Sequence, residues 1–266
     1  MSIPKVIHFC WFGEKEKPEL VKKCISSWKK YCPDYEIIEW NEENFNVNSC
    51  KYCKEAYELK KYAFVSDYAR LKIIYENGGI YLDTDVELIC SLNCVLESDV
   101  FMGIENGNYV STGLGFGAIK GHNLIKKNKE IYENMYFYDS EKKIISKNCP
   151  FYTTPIVKEE GFHFPIEKKQ KINGIALYPD EYFNPYNWKT KKLNITKKTI
   201  SIHHYSGLWM TGYEKKELYR KERNDNIERI FGKRIRKVFE FCHDTKKLNG
   251  GQGFRKALIR HIRGGK

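Results

Sequence analysis

Several things are missing from this 266-residue chain, and each absence removes a class of protein. It has no run of about eighteen apolar residues, so no transmembrane helix is expected. The opening MSIPKVIHF lacks the charged and then apolar regions of a secretory signal, and the expectation is a cytoplasmic protein. Nine cysteines, an odd number scattered through apolar segments, suit reduced thiols and not a disulfide framework. Cys50 and Cys53 form a CxxC, but no second pair stands at zinc spacing to complete four ligands. Gly113, Gly115 and Gly117 have the wrong spacing for a dinucleotide fingerprint, and no strand–turn–helix context surrounds them. Zinc-finger, RRM and KH signatures are absent too, so no nucleic-acid partner is expected despite the positive charge.

What is present is a globular composition: 15% aromatic residues, with 19 Tyr and 15 Phe. The length allows a sizeable core as one large or two small domains. The net charge of +12 is uneven. Acids and bases nearly balance between Lys5 and Glu105, whereas the chain beyond Tyr213 is dense in lysine and arginine. Such a bias fits nucleic acid, an anionic membrane surface, a polyanionic acceptor, or simply a solvated helix face. Phe254, Leu258 and Ile262, four apart among arginines, make a short basic amphipathic helix. A helix of that kind lies on anionic lipid at the inner face of the membrane, packs on the domain, or frays as a terminus.

Read in order, the chain opens with a strand from Ile3 to Cys10 and a turn at Trp11-Phe12-Gly13. A helix from Pro18 to Tyr31 follows, with Leu20, Cys24, Ile25 and Trp28 on its apolar face. A strand from Tyr35 to Trp40 completes a βαβ unit, which implies a parallel pair and a right-handed crossover. Ligands of such sheets bind beyond the carboxyl ends of the strands. One or two helices are expected from Tyr52 to Glu76. Strands are expected at Val100–Glu105 and Tyr109–Ile119, then a helix capped by Gly121-His122, and, in the stretch Ile200–Trp209, a late strand that ends at His203-His204.

The stretch AFVSDYARLKIIYENGGIYLDTDVE, residues 63 to 87, carries the chemistry. An amphipathic helix stops at Asn77-Gly78-Gly79, and Ile80-Tyr81-Leu82 reads as a buried strand. Asp83 and Asp85 follow with one residue between them. Two close carboxylates repel unless a cation lies between them. A hard divalent ion such as Mn²⁺ or Mg²⁺ takes oxygen ligands and keeps positions open for phosphate. The plainer alternative is a strand-end turn with two solvated acids. Asp67 and Arg70 share a helix face, as a surface ion pair or as a polar clamp aimed at the same pocket.

The run SDYARLKIIYENGGIYLDTDVE, together with IPKVIHFCWFG, SWKKYCPDYEIIEWNEENF and the late HHYSGLW, resembles the glycosyltransferases with a sugar-binding region containing a DXD motif. These form glycosyltransferase family 32, which includes capsular-polysaccharide enzymes and fungal mannosyltransferases. Glucosyltransferase domains of large glucosylating toxins share the core pattern. The resemblance implies an α/β fold of GT-A type, a mixed, mostly parallel sheet flanked by helices. It spans about residues 1–212, with the donor half over 1–120, the acceptor side over 140–212, and a basic helical extension over 213–266.

The resemblance further implies a hexosyltransferase that uses Mn²⁺ or Mg²⁺, takes a nucleotide sugar (a UDP-sugar first) and builds a capsular or other surface glycan with retention. Asp83, Asp85 and His204 are the implied metal ligands, with His203 on the opposite face of its strand. Asp67 and Arg70 are expected to orient the donor sugar and, with Asp85, to carry catalysis. Phe9, Trp11, Tyr81, Ser206, Gly207 and Trp209 are expected to border the nucleotide, although Trp11 also reads as a core residue under a loop. The acceptor is expected to be a glycan or lipid-linked glycan. Other family members tend to carry an asparagine near Ser111-Thr112, so neither residue is given a role. Two other classes share features with this chain. An aspartyl-nucleophile phosphatase also uses Asp-x-Asp, but Val86-Glu87-Leu88 does not supply its turn. A nucleic-acid-binding module would account for the charge alone.

Overall fold

The computed structural model describes residues 2–187, 192–207, 216 and 220. The chain divides into two compact units, Met1–Ser206 and Gly207–Lys266, and the fold below is that of the first. The expected basic extension over 213–266 falls almost wholly outside the described residues.

The elements run β1 (Val6–Cys10), α1 (Glu19–Tyr31), β2 (Glu36–Trp40), α2 (Lys51–Glu58), α3 (Tyr62–Asn77), β3 (Gly79–Tyr81) and β4 (Val86–Leu88). After a short 3₁₀ turn come β5 (Val100–Glu105), β6 (Tyr109–Ala118), α4 (Asn123–Glu133) and α5 (Cys149–Glu159). The described part ends with β7 (Gln170–Ile172), β8 (Ile175–Tyr178), α6 (Asp180–Phe183), β9 (Tyr186–Asn187), β10 (Lys192–Leu193) and β11 (Ser201–His203).

Seven strands form one sheet in the order β2-β1-β3-β6-β5-β8-β7. β1 pairs in parallel with both β2 and β3, and β5 with β8, while β6 and β7 run against their neighbours. Five of the seven strands therefore point the same way, the mixed, mostly parallel architecture expected of the GT-A type. The β1–α1–β2 unit is as the sequence predicts. The expected late strand ends at the histidines, as the sequence predicts, with His203 its last residue.

Alternate residues of the central strands enter opposite cores, as a period of two requires. Val100, Met102 and Ile104 of β5 join Tyr52, Tyr68, Leu71, Leu124 and Ile156 on the side of α2 to α5. Phe101 of the same strand, with Ile7, Phe9 and Ile80, joins Cys24 and Trp28 of α1 on the other. α3 ends at Gly78, whose φ of 73° and ψ of −166° lie in a region essentially open to glycine only. Gly79 also has positive φ, and a Cβ there would come within 2.9 Å of both His8 Nε2 and Val6 O. The double glycine thus turns the chain from helix into sheet directly beside β1.

Candidate functional site

β3 ends at Tyr81, and the chain turns at once: the amide of Val86 donates to the carbonyl of Asp83 at 3.0 Å. That turn sets Asp83 and Asp85 at the carboxyl end of the parallel strands, where open α/β sheets bind ligands. β4 then pairs antiparallel with β11, with Val86 opposite His203. Through this pairing the last described strand delivers a histidine to the aspartates. One donor atom from each of Asp83, Asp85 and His203 lies within 4.8 Å of the others.

His203, not His204, faces the pair. Its Nε2 lies 3.1 Å from Oδ1 of Asp85, while His204 Nε2 meets Glu87 Oε2 at 2.8 Å. The two imidazoles do diverge, as strand alternation requires, but the sides are the reverse of those expected from the sequence. The cause is the Asp83–Val86 turn: Asp85 precedes β4, so its carboxylate is free to swing to the His203 side.

Arg70 reaches the same place from α3. It is 3% exposed, and its donors are engaged within the protein. Nη2 meets Asp67 Oδ1 at 3.0 Å and Asp83 Oδ1 at 3.1 Å, Nη1 meets Thr112 Oγ1 at 3.4 Å, and Nε donates to the Ser66 carbonyl at 3.0 Å. The guanidinium carbon also lies 4.9 Å from the centre of the Tyr81 ring, a cation–π contact. Arg70 is therefore a hinge pin joining Asp67 to Asp83, beyond the sugar-orienting role expected of it.

The electrostatics follow from burial and from these partners. Burial raises Asp67 to about 7, against the lowering pull of Arg70. Asp83 is raised for the same reason, again opposed by Arg70 and reinforced by Asp85. Burial also opposes ionisation of Asp85, but His203 and the Ser206 donors outweigh it and hold that carboxyl below the usual carboxylate range. Burial disfavours the His203 cation, yet contact with Asp85 raises it. Two carboxylates with opposite shifts beside one histidine make a polarised cluster of hard oxygen donors and imidazole.

That cluster fits a divalent cation. Its donors suit Mn²⁺ or Mg²⁺, and Nδ1 of His203 is buried with no hydrogen-bond partner among the described residues. Gly113 of β6 makes room for it. A Cβ there would sit 2.6 Å from Asp83 Oδ2 and 3.4 Å from Arg70 Nη1, so only glycine lets the carboxylate lie against the strand. The sequence showed a glycine-rich segment but not this contact, because the neighbour is thirty positions away. Thr112 and Tyr205 were likewise missed; the Tyr205 ring packs edge-on to His203 at 4.1 Å.

The remaining expected residues scatter. Ser206 comes to Asp85, its amide and hydroxyl both donating to Oδ2 at 2.9 and 2.8 Å. Tyr81 is buried under Arg70. Phe9 is in the core, its ring edge-on to Trp28 at 5.4 Å, so it offers no open face to a base. Trp11 is half-buried in a loop, its Nε1 donating to the Lys15 carbonyl at 2.6 Å. Gly207 follows with a φ of 56°, and Trp209 lies outside the described residues. Of the aromatics on the expected acceptor side, Phe183 is core and Tyr182 packs on Tyr178, whereas Phe151 is 60% exposed.

The sequence profile of the glycosyltransferase sugar-binding region containing the DXD motif matches residues 18–102, which hold Asp67, Arg70, Asp83 and Asp85. Inositol phosphoceramide mannosyltransferase 3 of Schizosaccharomyces pombe is 29% identical over 128 residues, 46% of this chain and 35% of that protein. Subversion of eukaryotic traffic protein A of Legionella pneumophila is 29% identical over 117 residues, 34% of this chain and 18% of that protein. The chain thus spans only a fifth to a third of these two relatives. Uncharacterized glycosyltransferase L373 of Acanthamoeba polyphaga mimivirus is 23% identical over 227 residues, 77% of this chain and 83% of that protein. The matched region holds the aspartates, and two of these relatives are by name a mannosyltransferase and a glycosyltransferase.

Proposed function

We propose that the protein is a metal-dependent hexosyltransferase that moves a sugar from a nucleotide sugar, a UDP-sugar first, to a hydroxyl of a glycan or lipid-linked glycan. The observation that carries this reading is the convergence of Asp83, Asp85 and His203 within 4.8 Å, beside the Arg70–Asp67 pair, inside a DXD glycosyltransferase region. Asp83, Asp85 and His203 would hold Mn²⁺ or Mg²⁺. When bound, that ion supplies Lewis-acid stabilisation of the charge that develops on the departing diphosphate.

The chain's own residues do the rest. Arg70 aims Asp83 and keeps it from drifting toward Asp85. Asp67, held beside Arg70, accepts a donor-sugar hydroxyl and fixes its orientation, which is where positioning lowers the barrier. Ser206 holds Asp85 from the far side. Trp11, half-buried on its loop after β1, is the candidate to stack on the base. Transfer with retention, a surface or capsular glycan as product, and a location at the cytoplasmic face of the membrane complete the proposal. Among the described residues no helix is long and apolar enough to cross a membrane.

A panel of nucleotide sugars with Mn²⁺, Mg²⁺ or EDTA, read by thermal shift and by slow hydrolysis, tests this. Metal-dependent stabilisation and hydrolysis of one donor supports the reading and names the sugar. No response to any nucleotide sugar under any metal condition overturns it.

A further inference from the structure

β4 is only three residues long, lies outside the seven-stranded sheet and, among the described residues, pairs with β11 alone. Its backbone nevertheless has two edges to satisfy. Odd positions face β11: the Asp85 carbonyl accepts from His204 N at 3.0 Å, and Ile89 N donates to the Ile200 carbonyl at 2.9 Å. Even positions turn the other way, where no strand runs among the described residues. There, two consecutive side chains of α1 stand in for one. Trp28 Nε1 donates to the Val86 carbonyl at 2.8 Å. Ser27 Oγ accepts from the Leu88 amide at 2.9 Å and donates to the Cys24 carbonyl at 2.6 Å. Both residues are buried, and Lys23 of the same helix pairs with Glu87 at 2.8 Å.

This arrangement holds β4 from both sides. Asp85 precedes β4 by one residue, and His203 is placed opposite Val86. A strand of three residues held on one edge only can slide or twist, and either movement separates Asp85 from His203. We infer that Ser27 and Trp28 are positioning residues for the Asp83–Asp85–His203 cluster, a role that rests on the functional reading above. They touch neither the metal nor the donor. They act through the Val86 carbonyl and the Leu88 amide, setting where the acidic turn and the histidine meet.

Titration of the full-length protein with Mn²⁺ alone, followed by calorimetry, tests this against a purely structural role. Ser27→Ala and Trp28→Phe, which keeps a ring in the core, should each weaken Mn²⁺ about tenfold, as loss of residues that orient metal ligands does. Ser26→Ala is the control, because the exposed Ser26 hydroxyl only bonds the Lys22 carbonyl of its own helix. It should bind within about twofold of wild type, by the same reasoning. A structural role lowers the melting temperature but leaves affinity alone, so unchanged Mn²⁺ binding in both variants overturns the inference. Should Trp28→Phe not fold, Ser27→Thr decides: the retained hydroxyl should restore the affinity lost in Ser27→Ala. Equal binding by the alanine and threonine variants overturns the proposal. If the wild-type protein takes up neither Mn²⁺ nor Mg²⁺, the functional reading falls instead. The positioning role then rests on the His203 ring resonances, which shift in Ser27→Ala if β4 sets the Asp85 pair and stay fixed if it does not.

Discussion

Ser206 is joined to Asp85 twice, through its amide at 2.9 Å and its hydroxyl at 2.8 Å, both on the same carboxylate oxygen. The other oxygen faces His203. The residues are 121 positions apart, and Tyr205, just before Ser206, takes a φ of 47°, a conformation unusual for a side chain of that size. The turn after β11 is therefore bent back so that Ser206 grips the aspartate that His203 of β11 also meets. Ser206→Ala removes the hydroxyl and keeps the amide. Turnover of the donor should fall about tenfold, the cost of one hydrogen bond to a charged group. Unchanged kcat/KM would show that this grip does not serve catalysis.

Asp85→Asn keeps the shape of the side chain and removes its charge. Transfer should drop at least about a thousandfold while the far-UV circular dichroism stays native. Near-normal turnover by this variant would sink the assignment of a metal to the cluster.

The two adjacent histidines should behave differently. His203→Ala is expected to weaken Mn²⁺ binding at least about tenfold. His204→Ala loses a partly exposed contact with Glu87, worth no more than about 1 kcal/mol, and should bind Mn²⁺ as wild type does. Calorimetric titration of both variants gives the comparison, and the opposite ranking would restore His204 as the ligand.

Gly113→Ala places a methyl group 2.6 Å from the Asp83 carboxylate. Gly113 lies in the register shift of β6 against β5, and a methyl group there pushes the aspartate away from its Arg70 contact. A displacement of this size should cost about a hundredfold in kcat/KM with the fold retained. Kinetics alongside a thermal melt separate the two effects.

His8 supplies a pH test of the fold. Its Nδ1 accepts from the Trp40 indole at 3.0 Å, so Nε2 carries the hydrogen that is donated to the Gly78 carbonyl at 3.1 Å. Burial, partly offset by that carbonyl, brings the imidazole down to about 4 from 6.5. A group lowered in the folded state contributes stability that is complete above pH 6.5 and lost as pH falls toward 4. Between about pH 7 and pH 5, the stability of wild type should fall about 2 kcal/mol more than that of His8→Asn. Urea midpoints at the two pH values measure it, and parallel declines would refute the neutral tautomer.

Much of this was legible in the chain. The Asn77-Gly78-Gly79 stop, the buried Ile80-Tyr81 run and the Asp-x-Asp that follows are local: each depends on backbone freedom, burial period and charge within a dozen residues. The β1–α1–β2 unit was legible for the same reason. Phe9 was misplaced, because a strand's alternation does not say which face is open, and packing against Trp28 sends its ring inward. His203 and His204 were assigned to the wrong sides, because the decision lies in the Asp83–Val86 turn, which strand periodicity does not describe.

The sequence by itself determined that a helix, a glycine stop and a short strand would carry Asp67, Arg70, Asp83 and Asp85 toward one end of a parallel sheet. Those spacings are set by covalent geometry and local hydrogen bonding. Only the tertiary structure decided which distant residues complete the site: His203 and Ser206 on Asp85, Gly113 beneath Asp83, Ser27 and Trp28 on the far edge of β4. Such contacts depend on which strand pairs with which and on clearances of a few tenths of an ångström. Neither is encoded at any fixed interval along the chain.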